Sequence, residues 1–154
     1  PVAAEKWLLK LPRDEGADVE CRKSPKRGKP HEIFRELVSF PNLIERPGFT
    51  IDVVLVDIEE VRRYTGQKPW RQNGWETIEQ RLVRVVQVIA IRKPADLLKL
   101  VPETLPVKFT SADLEETAQM PRWLAQKTAY CLRQAGAVQQ IGKRGRFNLY
   151  ELST

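Results

Sequence analysis

The sequence predicts an α+β fold in two parts: a small mixed sheet-and-helix domain over residues 1–93, then a helix-rich domain over 94–154 that closes in a β-hairpin. Two patterns carry this expectation. The run from Phe49 to Val56 is dense in β-branched residues and alternates as a buried strand does. After Pro94, apolar residues recur at helical spacing through three short segments, and two alternating runs then flank Gly142-Lys-Arg-Gly-Arg146. With 154 residues the chain can bury a real core.

In chain order, Lys6 to Leu11 is a mostly apolar run closed by Pro12 and reads as a strand. Arg13-Asp-Glu-Gly16 has turn composition, so a second strand from Ala17 to Lys23 completes a hairpin. A helix starts at Pro30, with Ile33, Phe34, Leu37 and Val38 on its apolar face and Pro41 at its end. His31, Glu32, Arg35 and Glu36 fall on the opposite, solvated face. In the strand beginning at Phe49, residues Phe49, Ile51, Val53 and Leu55 share one side, and Val54 and Val56 the other. Arg62 to Gly74 is polar and basic, the composition of a loop or hairpin tip. Trp75 to Ile91 fits a helix through Trp75, Ile78, Leu82, Val85 and Ile89, yet its β-branched density from Val83 onward favours a strand, the preferred reading. The opening Pro-Val-Ala-Ala, close to a strand and without an initiator Met, reads as the start of a fragment whose sheet continues upstream.

Past Pro94, a short helix runs to Val101, and a Pro-containing connection leads to a second helix with Thr110 or Ser111 as its cap and acidic residues in its first turn. Gln119-Met120 makes a tight break. The third helix, Pro121 to Ala135, puts Leu124, Thr128, Cys131, Leu132 and Ala135 on one face, and Gly136 stops it. Arg122, Gln126, Lys127, Tyr130 and Arg133 occupy the other face. Val138 to Ile141 and Phe147 to Leu152 form a hairpin with a cationic tip. This order resembles a winged helix-turn-helix. The resemblance covers about 60 residues and implies that the third helix enters the DNA major groove while the wing lies along the backbone. Carried onto this chain, the recognition candidates are Arg122, Gln126, Lys127, Tyr130 and Arg133, and the wing candidates are Lys143, Arg144 and Arg146. Arg and Gln suit base edges, and Lys and the wing suit phosphate. Trp123 fits either the core or an anchor to a neighbouring domain. From Lys108 onward there are seven basic and four acidic residues, a modest excess.

The net charge of +6 favours an anionic partner. Arg22, Lys23, Lys26, Arg27 and Lys29 crowd nine residues ending at Pro30, with Pro and Gly marking a loop. Read functionally, this is a phosphate-contacting loop; read blandly, it is a solvated one. Arg62, Arg63, Lys68 and Arg71 interleave with Tyr64, Trp70 and Trp75, a mixture that suits either phosphate contact with base stacking or packing on the sheet. The basic loop, the helix from Glu32 to Val38, the strand running into Glu59-Glu-Val-Arg-Arg63 and the winged helix together resemble an uncharacterised bacterial protein family. That resemblance implies an upstream part similar to restriction-endonuclease-like nucleases. Within the chain, Glu20-Cys-Arg22 with Asp52 comes nearest to such a metal site, and departs from it by Arg in place of Lys.

No catalytic residue, metal site or cofactor is assigned. Cys21 and Cys131 are too far apart in sequence for a zinc motif and suit a reducing cytoplasm, Cys21 as a half-buried thiol and the lone His31 as a surface imidazole. No phosphate loop or nucleophile elbow is present, and Glu59-Glu60 and Glu115-Glu116 read as solubilising charges. The longest apolar run, Leu82 to Ile91, is interrupted by Arg84 and Gln87, which excludes a membrane helix. The expected function is DNA binding in the cytoplasm by a protein that is not an enzyme within these residues. A protein-interaction module, homodimer or protein partner included, and an accessory part of a nuclease are the alternatives.

Overall fold

The computed structural model describes residues 1–14, 16–66 and 73–153. It is α+β, with two compact units: residues 1–29 with 54–87, and residues 30–53 with 88–154. The sequence-based division at 93/94 runs along the chain, whereas these units are discontinuous. The reason lies in Phe34, Leu37 and Ile44, which are buried in the second unit, where the short helix α1 (Phe34–Leu37) packs against α3 (Arg122–Gln134).

The first unit is built on a sheet of order β2-β1-β3-β4, with β1 at Val2–Lys10, β2 at Glu20–Lys23, β3 at Ile51–Tyr64 and β4 at Trp75–Ile91. β1 and β2 are antiparallel, with Trp7 opposite Lys23 and Lys10 opposite Glu20, as the turn at Arg13–Gly16 predicts. β1 and β3 are parallel, with Leu8 opposite Glu60. On β3 and β4 the contacts run in reverse order, Glu60 with Gln80 and Asp57 with Arg84, so these strands are antiparallel.

β3 extends well past the expected end at Val56, and Arg62 to Tyr64 is strand rather than loop. Charged residues are tolerated there because Glu60 pairs with Lys6 across the sheet and with Arg62 along its own strand. Glu60 is buried and accepts from Lys6 Nζ at 2.5 Å and Arg62 Nη2 at 2.8 Å. Burial raises its pKa, but the hydrogen bonds from Lys6 and Arg62 outweigh that and hold it below the ordinary carboxylate value. Glu60 is therefore not the solubilising charge its sequence position suggested. Asp57 is wholly buried; its Oδ2 accepts from Arg84 Nε at 2.6 Å, while Oδ1 has no partner among the described residues. β4 is strand throughout, so β-branched density prevails over the helical periodicity.

The basic loop after β2 is tied to β1. Ser24 N donates to Lys6 O, and Gly28 N to Ala3 O at 2.9 Å. A Cβ at Gly28 would lie 2.1 Å from that carbonyl oxygen, so only glycine permits the approach.

In the second unit a 3₁₀ turn, Pro30–Ile33, leads into α1. His31 was expected on the solvated face and is buried. Three residues per turn bring positions 31 and 34 to the same side, and Phe34 is core. A further 3₁₀ turn, Pro94–Leu100, is capped by Asp96, whose Oδ2 accepts from the amides of Arg92 and Lys93. Then follow β5 (Lys108–Phe109), α2 (Ser111–Thr117), α3, β6 (Val138–Arg144) and β7 (Phe147–Leu152), with sheet order β5-β7-β6. Thr110 and Asp113 form a reciprocal capping box on α2. Gln119 takes φ 50 at the break between α2 and α3, and Gly136 takes φ 74 after α3. Leu124, Thr128, Cys131, Leu132 and Ala135 are all buried, as their spacing predicts.

Candidate nucleic-acid interface

α3 has two sides because 3.6 residues per turn separate its residue types. Leu124, Ala125, Thr128, Ala129, Cys131 and Leu132 fill the core. Arg122, Gln126, Tyr130 and Arg133 are exposed and Lys127 is half-buried, so the structure brings all five recognition candidates to the outer surface of one helix. The first turn of α3 has no acidic residue and no side-chain cap. Its leading amides therefore retain the partial positive charge of a helix start.

The hairpin meets this helix through an aromatic ring. Arg122 lies 5.6 Å from the ring centre of Phe147, and Arg146 lies 5.1 Å from it. Both guanidinium groups thus sit at one site on the surface, attracted by the face of the ring. Trp123 is 47% exposed, with Arg35 of α1 at 5.7 Å and Lys127 at 5.5 Å from its ring. It is neither buried core nor covered within this unit.

The hairpin tip differs from its expected form. The five-residue loop Gly142 to Arg146 narrows to a two-residue turn, because Lys143 and Arg144 pair with Asn148 and Phe147 in the sheet. A bulge between Gln140 and Gly142 shifts the register and allows the longer strand. Lys143 and Arg146 remain exposed. Arg144 turns back onto the start of α2, donating to Asp113 Oδ2 at 3.1 Å and Lys108 O at 3.3 Å.

The loop cations belong to the first unit. Lys23 and Arg27 both pair with Glu5, at 2.7 and 2.9 Å. Arg22 and Lys26 are exposed and form no ion pair among the described residues, and Lys29 is half-buried. In the aromatic stretch, Tyr64 and Trp75 meet edge-on at 5.6 Å, with Arg13 3.7 Å from the Tyr64 ring and Lys10 4.9 Å from Trp75. Lys68, Trp70 and Arg71 lie outside the described residues.

Among the described residues no cluster of three or more His, Cys, Asp or Glu could hold an ion. Glu20, in the first unit, pairs with Lys10, and Asp52, in the second, pairs with Arg92. Cys21 is exposed rather than half-buried, since every residue of the edge strand β2 is exposed. No helix among the described residues is long and apolar enough to cross a membrane.

Sequence reasoning missed Arg35 and Phe147. Phe147 could have been found from its position beside Arg146. Arg35 carried no signal, because only the packing of α1 on α3 brings it to Trp123.

A family model described as a domain of unknown function, DUF8091, matches residues 1–92. An uncharacterized protein of Treponema pallidum (strain Nichols) is 24% identical over 150 residues, covering 97% of this chain. The chain spans 59% of that relative's length. No solved structure matches.

Proposed function

The chain belongs to the family of the DUF8091 domain of unknown function, and we propose that it binds duplex DNA, with residues 94–154 acting as a winged helix. The observation that carries this reading is the outer stripe of α3, where Arg122, Gln126, Tyr130 and Arg133 face solvent beside half-buried Lys127, with Arg122 and Arg146 on a shared ring. The element order β5, α2, α3, β6, β7 with sheet order β5-β7-β6 is the order of a winged helix and supports the same reading. On this view Arg122 and Gln126 approach base edges. Lys127, Lys143 and Arg146 neutralise phosphate, and the uncapped start of α3 adds amide donors. Arg22 and Lys26 are the loop cations best placed to meet phosphate, since Lys23 and Arg27 share Glu5.

The test is fluorescence anisotropy of a labelled duplex across a salt series. Each phosphate contact contributes about 0.9 to the slope of log affinity against log salt. Changing Lys143 and Arg146 to Ala together is expected to reduce that slope by about 1.8, at about 0.9 for each contact. Absence of binding at low salt, or a slope the double variant leaves unchanged, refutes the proposal.

A further inference from the structure

Strand β4 ends the four-stranded sheet on one side, so its outer backbone groups have no neighbouring strand among the described residues. The edge is long, at 17 residues, and between Trp75 and Ile91 it contains neither proline nor lysine, two residues that commonly guard an edge. Ile78, Leu82, Val83, Val85 and Val86 are each more than 40% exposed on it. An edge of this kind is a template for pairing, and its sequence specifies the partner.

Residues 75–85 form a charge palindrome centred on Gln80. Reading outward from Gln80, Glu79 mirrors Arg81, Ile78 mirrors Leu82, Thr77 mirrors Val83, Glu76 mirrors Arg84, and Trp75 mirrors Val85. Two antiparallel copies of the strand related by a two-fold axis through Gln80 would therefore oppose acid to base at every charged position and apolar to apolar at 78/82 and 75/85, with Thr77 against Val83. The register is singular. Moving the axis to Glu79 or Arg81 opposes like charges there, and no other register matches all four charged residues at once.

Three of the charged side chains are paired within the chain and remain exposed. Arg84 is anchored at 2.6 Å by buried Asp57 while most of its side chain stays exposed. Glu79 and Arg81 are both exposed and joined by two hydrogen bonds of 2.8 and 2.7 Å, and a second copy would extend that pair into a four-membered network.

We propose that β4 pairs antiparallel with β4 of a second copy of this chain about Gln80, joining the two sheets into one. The axis places Glu79 against Arg81 of the second copy and Glu76 against Arg84 of the second copy. The interface lies in the first unit and does not rest on the DNA-binding reading.

Sedimentation of the 154-residue chain is expected to give twice the 17.8 kDa mass. Glu79→Arg opposes two arginines at two symmetric places and is expected to weaken the dimer roughly tenfold or more. The double exchange Glu79→Arg with Arg81→Glu restores it, which separates charge register from loss of fold. In a Cys21→Ser background, Gln80→Cys is expected to oxidise to a covalent dimer, because position 80 faces itself at a spacing that suits a disulfide. Leu82→Cys, which faces Ile78, is not. A chain that stays monomeric at its highest soluble concentration overturns the proposal. So does a dimer indifferent to the charge reversal, or one that cross-links equally well at 80 and 82.

Discussion

Asp113 serves two ends of the second unit at once, and two substitutions there separate them. Its Oδ2 accepts from Thr110 N at 2.6 Å and Thr110 Oγ1 at 2.9 Å, which caps α2, and from Arg144 at 3.1 Å, which folds a hairpin cation back onto the helix start. α2 has only seven residues, so its first turn depends on that cap. Asp113→Ala removes the carboxylate half of the capping box and the ion pair together, while Thr110 Oγ1 still accepts from the amide of residue 113. The hydrogen bond from the Thr110 amide contributes about 1 kcal/mol, and the exposed pair well under 1 kcal/mol. A loss of about 1–1.5 kcal/mol is therefore expected, roughly 2–5 °C in Tm for a chain of this size. Asp113→Asn keeps an oxygen for the Thr110 amide and should cost less than half as much, while it removes the negative charge that competes with phosphate for Arg144. If the hairpin contacts DNA, the freed guanidinium adds a phosphate contact, and the salt slope steepens by about 0.9. Urea unfolding followed by tryptophan fluorescence reads the first effect, and anisotropy across salt reads the second. An Asp113→Ala variant as stable as the parent refutes the capping argument. An Asp113→Asn variant with an unchanged slope refutes the account of Arg144.

Two further outcomes follow from titratable groups. Burial pushes the Cys131 thiol up to about 11, with nearby Lys127 opposing only in part, whereas Cys21 is exposed. A disulfide reagent at mild alkaline pH is expected to modify Cys21 rapidly and Cys131 only after denaturant is added; two fast thiols in the folded chain would contradict the burial of α3. Asp96 is held at about 2, below its ordinary 3.8, chiefly by Lys99, with the Arg92 amide and then the Lys93 amide assisting against desolvation. Since its folded value is the lower one, its contribution is complete above about pH 4 and fades as the pH falls through 2. Asp96→Asn should flatten that part of the acid unfolding profile, and an acid limb identical to the parent's would show that the carboxylate contributes nothing there.

Elements with a strong local signal are legible in the sequence. Pro121 and Gly136 bracket α3, and its apolar spacing names the buried face residue by residue. A hydroxyl at Thr110 or Ser111 with acidic residues in the turn that follows announces the start of α2, and the structure selects Thr110 as the cap. The Trp75–Ile91 strand is readable only because β-branched side chains outweigh a helical period that is also present. Less is legible where partners are distant in sequence. Glu60 resembles a surface charge until Lys6, 54 positions away, pairs with it. Arg144 resembles a free wing cation until the bulge at Ile141 draws it into the strand and Asp113 claims it. His31 misleads because a helix of 3.6 residues per turn is expected where the chain makes a tighter turn.

The sequence by itself determined the α+β class, the placement of three helical segments after Pro94, the outer residues of α3 and the palindrome in β4. These are local properties: spacing, propensity and charge order need no knowledge of what lies across the sheet. The tertiary structure decided which of those residues are available. It joined 30–53 to the C-terminal elements, set Arg35 beside Trp123, set Arg122 and Arg146 on one ring, and engaged Arg144, Lys23 and Arg27 in exposed ion pairs. It also left β4 at an edge. Only folding could decide these points, because an ion pair or a strand edge is a relation between distant segments, and no single stretch of chain encodes its own neighbour.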